Sequence, residues 1–304
     1  MPSLSIIIVS YNTKKYTLEC LRSIYEQTQD VSYEVIVIDN ASSDGSAEAI
    51  EAKFPNVHLI KSKKNVGFAG ANNLAAEEAK GDYLLLLNPD TVILDGAIQK
   101  LYNFALVNPD NLIYGGRTLF EDRSLNPTSC WKKKTLWSFF CYATGLASLF
   151  RKSSLFNPES YGSWQRDTVR EVDIVTGCFF LIKKEFWERL QGFDPVFFMY
   201  AEDDDLCLRA KKQGAKPIIT PAATIIHYGG RSEPVRADKI VRVLRAKTQL
   251  IRRHWGKRKQ QLGVFFIQFS VFNRMLIYII VHRFTGKTMA NNWMYIWKQL
   301  KEYK

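Results

Sequence analysis

An α/β fold with a doubly wound, mostly parallel sheet is predicted by three features of the chain. Continuous runs of aliphatic and β-branched residues, such as LSIIIV at 4–9 and DYLLLL at 82–87, suit strands buried on both faces. Segments with helical spacing alternate with them, as in repeated strand–helix units. Polar residues gather where each apolar run ends, the place where open parallel sheets hold ligands.

The elements follow in order. Leu4 to Val9 forms the first buried strand and ends at Ser10-Tyr11-Asn12, and Thr13 to Gln27 has Leu18, Leu21 and Ile24 on one helical face. Glu34 to Ile38 is a second strand, ending at Asp39-Asn40-Ala41-Ser42-Ser43-Asp44-Gly45. A short helix from Ser46 to Phe54 and a strand from Val57 to Ile60 come next. Asn65-Val66-Gly67-Phe68 then leads into a helix through Asn72 and Asn73 to Lys80. The strand Asp82–Leu87 ends at Asn88-Pro89-Asp90, a helix spans Leu94 to Val107, and a strand lies within Asn111 to Leu119. Leu136 to Phe150 is an apolar aromatic run, short for a membrane span, with a basic flank at Lys132 to Lys134 that points to an interfacial helix. Val172 to Lys183 reads as a strand, Glu185 to Leu190 as a helix, and Pro217–Ile219 and Thr224–His227 as short strands.

Between them lies GFDPVFFMYAEDDDLCLR, residues 192–209, with four adjacent carboxylates opening a helix. One or two acids suit a helix dipole, whereas four repel one another. The arrangement fits a site in which one carboxylate works as a base and the others orient ligands. Crowding raises the proton affinity of one member, which helps a base near neutral pH.

Charge divides the chain. From Arg231 onward there are 17 Lys/Arg against 3 Asp/Glu, leaving 25 against 27 in the preceding residues. The tail has a basic helix over about 237–255 with Ile240, Leu244, Lys247 and Ile251 on one stripe, then the nearly apolar stretch 263–281. Arg274 is costly at mid-bilayer, by at least about 2.5 kcal/mol, so an interfacial helix is preferred to a spanning one. Nucleic-acid binding would use the cations but not the apolar run, so no nucleic-acid partner is expected. An anionic membrane surface uses both.

Five scattered cysteines without a C-x-x-C pair argue against a disulfide framework or zinc site and fit a reducing compartment. The N-terminus has no basic segment leading into a cleavage site, so a cytoplasmic location is expected. The sequence has no G-x-G-x-x-G, Walker A or G-x-S-x-G pattern.

Three strand ends could carry chemistry. Asp39 serves equally as a turn cap or a ligand group. Asp90, held by Pro89 at a strand end, suits a hard divalent cation or a plain turn. His227 precedes Gly229-Gly230, which allow close approach of a ligand, and imidazole with carboxylate accepts Mn²⁺ as well as Mg²⁺.

Taken together, Ser10-Tyr11-Asn12, Asp39 to Gly45, Asn65-x-Gly67-Phe68 with Asn72-Asn73, Asn88-Pro89-Asp90, Phe198-x-Tyr200-x-Glu202-Asp203-x-Asp205 through Arg209, and His227-x-Gly229-Gly230 resemble the family 2 glycosyltransferases of GT-A fold. The likeness is greatest to bacterial rhamnosyltransferases of surface-polysaccharide synthesis and covers residues 3 to about 232. It implies a catalytic domain at 1–232, with a nucleotide-sugar half to about 118 and an acceptor half beyond, and a helical membrane-associating tail at 233–304.

The resemblance implies Asp203 as catalytic base. Nucleotide-sugar binding falls to Ser10, Tyr11, Asn12, Asp39, Asn65, Gly67, Asn72, Asn88 and Asp90, with Asp39 on the base. Asp90 and His227 would hold a divalent metal, Mg²⁺ or Mn²⁺. Gly177, Tyr200, Glu202, Asp204 and Arg209 are acceptor or supporting residues. Asn88 departs from the family's D-x-D, which puts its part as a first carboxylate in doubt. The implied reaction is inverting transfer from a nucleotide-diphosphate sugar, dTDP-rhamnose favoured, to a lipid-linked saccharide. It would take place at the cytoplasmic face of the plasma membrane. UDP-hexose or UDP-galactofuranose donors, or a non-catalytic scaffold, are the alternatives.

Overall fold

The computed structural model describes residues 2–229, 237–285 and 290–301. In chain order the elements are β1 (Leu4–Ser10), α1 (Lys14–Gln27), β2 (Tyr33–Asp39), α2 (Ser46–Lys53), β3 (His58–Lys61), α3 (Gly67–Glu78), β4 (Tyr83–Leu87), β5 (Thr91–Ile93) and α4 (Ala97–Val107). They continue with β6 (Ile113–Leu119), β7 (Leu125–Asn126), β8 (Cys130–Trp131), α5 (Leu136–Thr144), α6 (Leu146–Leu149), β9 (Arg170–Glu171), β10 (Ile174–Val175), β11 (Phe179–Lys183) and α7 (Lys184–Arg189). The last are α8 (Glu202–Lys212), β12 (Ile218–His227), α9 (Ala237–His254), α10 (Lys257–Thr285) and α11 (Ala290–Lys301).

The main sheet runs β3-β2-β1-β4-β11-β6-β12-β5, with β7 beside β6 and β9 beside β12. Strands β1 to β4 pair in parallel, as do β6 and β12, and these include the longest ladders. Antiparallel β11 joins the two parallel blocks by pairing with both β4 and β6. The alternation of runs and helices required such a sheet, because aliphatic strands without a polar face need cover on both sides. Ile6, Ile8, Val35, Val37, Leu85 and Leu181 form its packed interior.

Several local features differ from the sequence reading. Val172 to Lys183 is broken at Thr176-Gly177: β10 pairs with β8 in a separate two-stranded sheet, and only β11 enters the main one. The predicted pair of strands at 217–227 is one strand, β12, with a bulge between Thr220 and Thr224.

The chain divides into two compact units. One comprises Met1–Trp131, Trp164–Phe198 and Glu202–Ser232, and the other Lys132–Ser163, Met199–Ala201 and Glu233–Lys304. The segment 132–163 thus groups with the C-terminal helices. In the second unit, the predicted helix at 136–150 is two helices, since Gly145 turns left-handed (φ 85°) and ends α5. Phe139 of α5 packs with Leu244 and Ile251 of α9, Ile267 and Val271 of α10, and Ile296 of α11. Over Lys257–Ile280, α10 is long and apolar enough to cross a membrane by length and composition.

Candidate active site

In the first unit the polar residues collect at the C-terminal ends of β1, β2, β4 and β12. Ser10 and Asp39 are neighbours in the β1–β2 ladder, so the loops that follow leave the sheet side by side. The Asn12 carboxamide oxygen accepts the Ser43 N–H at 2.8 Å, and Asn12 donates its own N–H to Ser42, knitting the two loops together. Ser10 is fully buried and shares its hydroxyl with Thr13 and Thr17, so it supports the loop from beneath. Tyr11 stands out at the surface.

Asp39 is buried. Its Oδ2 accepts the Ser42 N–H at 3.0 Å, while Oδ1 is enclosed without a hydrogen-bond partner. Leaving a buried acceptor unmatched costs about 1–3 kcal/mol, which a donor group on a ligand would recover. Beside it, Asn40 accepts the Val66 N–H and donates to Asn65 and the Gly67 carbonyl, so this buried side chain ties the second loop to the start of α3. Gly67 is required there: its φ is 79°, and an added Cβ would come within 2.2 Å of the Phe198 carbonyl oxygen. Asn72 donates to the Phe68 carbonyl inside α3, and Asn73 exchanges two hydrogen bonds with the Phe193 backbone. These side chains hold α3 against the segment before the acid cluster.

At the end of β4, Thr91 of the short strand β5 pairs with His227. That register brings the His227 Nε2 to 3.3 Å from an Asp90 oxygen and 3.3 Å from the Asn88 amide. Burial draws the His227 pKa down, but Cys178 and the Asp90 carboxylate outweigh it and lift it to about 10. Tyr228 fixes the strand end by donating its N–H to the Asp90 carbonyl and its hydroxyl to Glu19.

The four acids separate into different environments. Asp203 is half-buried: Oδ2 accepts the Gly177 N–H at 3.1 Å and Oδ1 accepts the Asp204 N–H at 2.8 Å. Glu202 is buried with Oε2 unpartnered, and burial, then the charge of Asp203, pushes its pKa well above the usual range. The raised proton affinity expected from crowding therefore falls on Glu202. Asp205 is fully enclosed and paired with Arg209 at 2.7 Å, and Arg209 spends its remaining fork on the carbonyls of Leu190 and Gly192. Asp204 is also buried. Tyr200 and Ala201, just before α8, both carry positive φ, 74° and 66°.

The sequence reading did not single out Asn40, Asn73 or the Cys178 carbonyl, which accepts the Asn88 N–H. Asn40 was visible within the Asp39-Asn40 motif, but its contacts are 25 residues or more away in sequence.

The sequence profile of Glycosyl transferase family 2 matches residues 5–190. The chain is a family 2 glycosyltransferase. This glycosyltransferase is 30% identical over 234 residues to the rhamnosyltransferase WbbL of Escherichia coli K12, covering 73% of its own length and 82% of that relative. It is 25% identical over 243 residues to an N-acetylglucosaminyl-diphospho-decaprenol L-rhamnosyltransferase of Mycobacterium tuberculosis, covering 75% and 77% of the two chains. The mannosyltransferase PcManGT of Pyrobaculum calidifontis, solved with GDP-mannose and Mn²⁺, shares the GT-A fold at a TM-score of 0.58. That match has 18% identity and covers 98% of this chain and 85% of the other.

Proposed function

We propose that the enzyme transfers a sugar, with inversion, from a nucleoside-diphosphate donor to a hydroxyl of a lipid-linked saccharide in polysaccharide synthesis. Rhamnose from dTDP-rhamnose is the favoured donor, in line with the names of the two rhamnosyltransferase relatives. The observation that carries the reading is the meeting of Asp90 and His227 beside Asn88, with the Asp203 support one residue from the carbonyl that holds Asn88.

Among the described residues no three His, Cys, Asp or Glu side chains converge as a complete metal cage. Two protein ligands at the end of a strand suit a cation that takes its other oxygens from a diphosphate and water. A Mg²⁺ or Mn²⁺ held by Asp90 and His227 would supply Lewis acidity to the departing diphosphate. PcManGT, which shares the fold, was solved with GDP-mannose and Mn²⁺, in keeping with use of a divalent metal.

Each protein group then has a part. The unmatched Asp39 oxygen takes the ring N–H of the nucleotide base. Gly67 and the Asn40–Asn65 bonds keep the backbone close beneath the donor, and Asn88 contacts its ribose or diphosphate. Asp203, oriented by two backbone N–H groups, removes the acceptor proton as the acceptor oxygen bonds to the anomeric carbon. The bond from that carbon to the diphosphate breaks on the opposite face, and the electron pair leaves with the phosphate oxygen. Within the catalytic region 1–232 the first compact unit carries this chemistry, and the C-terminal helices keep the enzyme at the cytoplasmic face of the membrane, where a lipid-linked acceptor lies.

A panel of dTDP-rhamnose, UDP-glucose and UDP-galactofuranose, each with Mg²⁺ or Mn²⁺, tests the reading by thermal shift and donor hydrolysis. A metal-dependent response to dTDP-rhamnose above the others is expected. Equal indifference to every nucleotide sugar overturns the assignment.

A further inference from the structure

The second unit carries an aromatic seam that no part of the transfer chemistry uses. Ring centroids follow one another from Phe150 to Phe156 (5.0 Å), Trp137 (6.4 Å), Phe140 (5.3 Å), Phe266 (5.8 Å) and Phe265 (5.6 Å). The seam therefore joins the residues after α6 to α5 and α10. It is open to solvent at Phe150, Trp137 and Phe265, which are 43%, 42% and 54% exposed. Leu149, 74% exposed, extends it at one end, and Ile277 and Ile280, 57% and 58% exposed, continue the bare face of α10. Exposed cations stand at its margins: Arg151 and Lys152 directly after Phe150, and Lys257, Arg258 and Lys259 in the first turn of α10.

An apolar surface bordered by cations matches the boundary between acyl chains and anionic headgroups, where each Lys or Arg contributes about 1 kcal/mol. The packing of α10 decides how it meets that boundary. Its inner face shares a cluster with Leu244 and Ile251 of α9, a helix that also bears Lys239, Arg242, Arg245, Lys247, Arg252 and Arg253. Its middle is tied to α5, through Asn273 donating to the Ala143 carbonyl at 3.1 Å and Arg274 lying 4.2 Å over the Tyr142 ring. A crossing α10 would draw this cationic helix into hydrocarbon at about 2.5–3.5 kcal/mol per charge.

We propose that the seam and the bare face of α10 form one docking surface that lies flat in the interface of an anionic bilayer, without crossing it. The inference rests on and deepens the membrane-surface part of the proposed function. Its test needs no transfer reaction.

Full-length protein is floated with phosphatidylcholine vesicles and with vesicles that also contain phosphatidylglycerol. Binding to the anionic vesicles, weakened by salt and released by an alkaline carbonate wash, is expected. Leu149→Glu and Phe265→Glu should each lower partitioning at least about tenfold, the worth of burying one large apolar side chain. Leu106→Glu, at an exposed leucine of the first unit, should leave it unchanged. Failure to float with anionic vesicles, retention through the carbonate wash, or equal loss in all three variants overturns the proposal. So does a dimer in solution that the first two variants dissociate while vesicle binding is absent. Loss of donor turnover with flotation intact would count against the transfer reading and leave the docking surface standing.

Discussion

The Gly177 N–H donates to the Oδ2 of Asp203 at 3.1 Å, and the carbonyl of the next residue, Cys178, accepts the N–H of Asn88. One turn of backbone thus supports both the acid cluster and the Asn-Pro-Asp strand end. Side-chain bulk is limited here, since a Cβ on Gly177 would lie 3.1 Å from the Phe68 ring. A base must be aimed as well as basic, and this bond together with the Asp204 N–H sets the plane of the Asp203 carboxylate.

Asp203→Asn keeps an oxygen for the Gly177 N–H and removes the proton acceptor. Transfer should fall by about 10²–10⁴-fold, the usual worth of a positioned base, with nucleotide-sugar binding preserved. Calorimetric titration with donor beside turnover assays checks both halves. Full turnover by the variant would remove Asp203 from the mechanism.

His227 has to be neutral to ligate a metal, yet its contacts with Cys178 and Asp90 overcome burial and lift its pKa from 6.5 to about 10. Metal binding near neutral pH should therefore release a proton, read as a binding heat that changes with the ionisation heat of the buffer. In metal-free protein the imidazolium contributes stability that is fully present below pH 6.5 and is lost as pH rises through about 10. Asp90→Asn should flatten that pH dependence in thermal melts, and Asp90→Ala should abolish metal-dependent nucleotide binding. Unchanged Mn²⁺-dependent affinity in Asp90→Ala would sink the metal assignment.

Glu202 also has a raised pKa, but in a carboxyl group that favours the neutral form. Burial, then repulsion from Asp203, holds its pKa well above 4.5, so the folded state binds a proton that the unfolded chain releases more readily. Ionising it costs stability as pH rises above 4.5. Glu202→Gln should therefore raise the melting temperature at neutral pH, with the gain shrinking toward pH 4. A lower melting temperature at neutral pH would show that the charged form is supported after all.

Much of this was legible in the chain because strands buried on both faces announce themselves as aliphatic runs, and each run ended at a polar motif. What sequence could not show were features without a period of their own. β5 is three residues long, too short for any pattern, yet its pairing of Thr91 with His227 is what brings the imidazole to Asp90. The break at Gly177 was hidden inside one apolar run, since β10 and β11 are equally apolar and differ only in which sheet they join. The first helix of the second unit ends where Gly145 adopts a positive φ, a choice that a glycine permits without demanding. Arg209 read as an acceptor or supporting residue because its partners, two carbonyls and a buried acid, are fixed only by the fold.

That fixation makes Arg209 the plainest test of support against chemistry. Its guanidinium donates from each of its three nitrogens to the protein, to Asp205, the Leu190 carbonyl and the Gly192 carbonyl. Arg209→Met removes the cation paired with a fully buried carboxylate, at a cost of about 3–5 kcal/mol. Arg209→Lys should also destabilise, because a single ammonium does not reproduce the planar fork. Removing both charges in Asp205→Leu/Arg209→Met takes away the buried anion along with its cation and should recover much of the loss. Denaturant titration measures each step, and turnover per folded molecule should stay near wild type throughout. A variant that keeps its stability but loses turnover would instead place Arg209 on the acceptor.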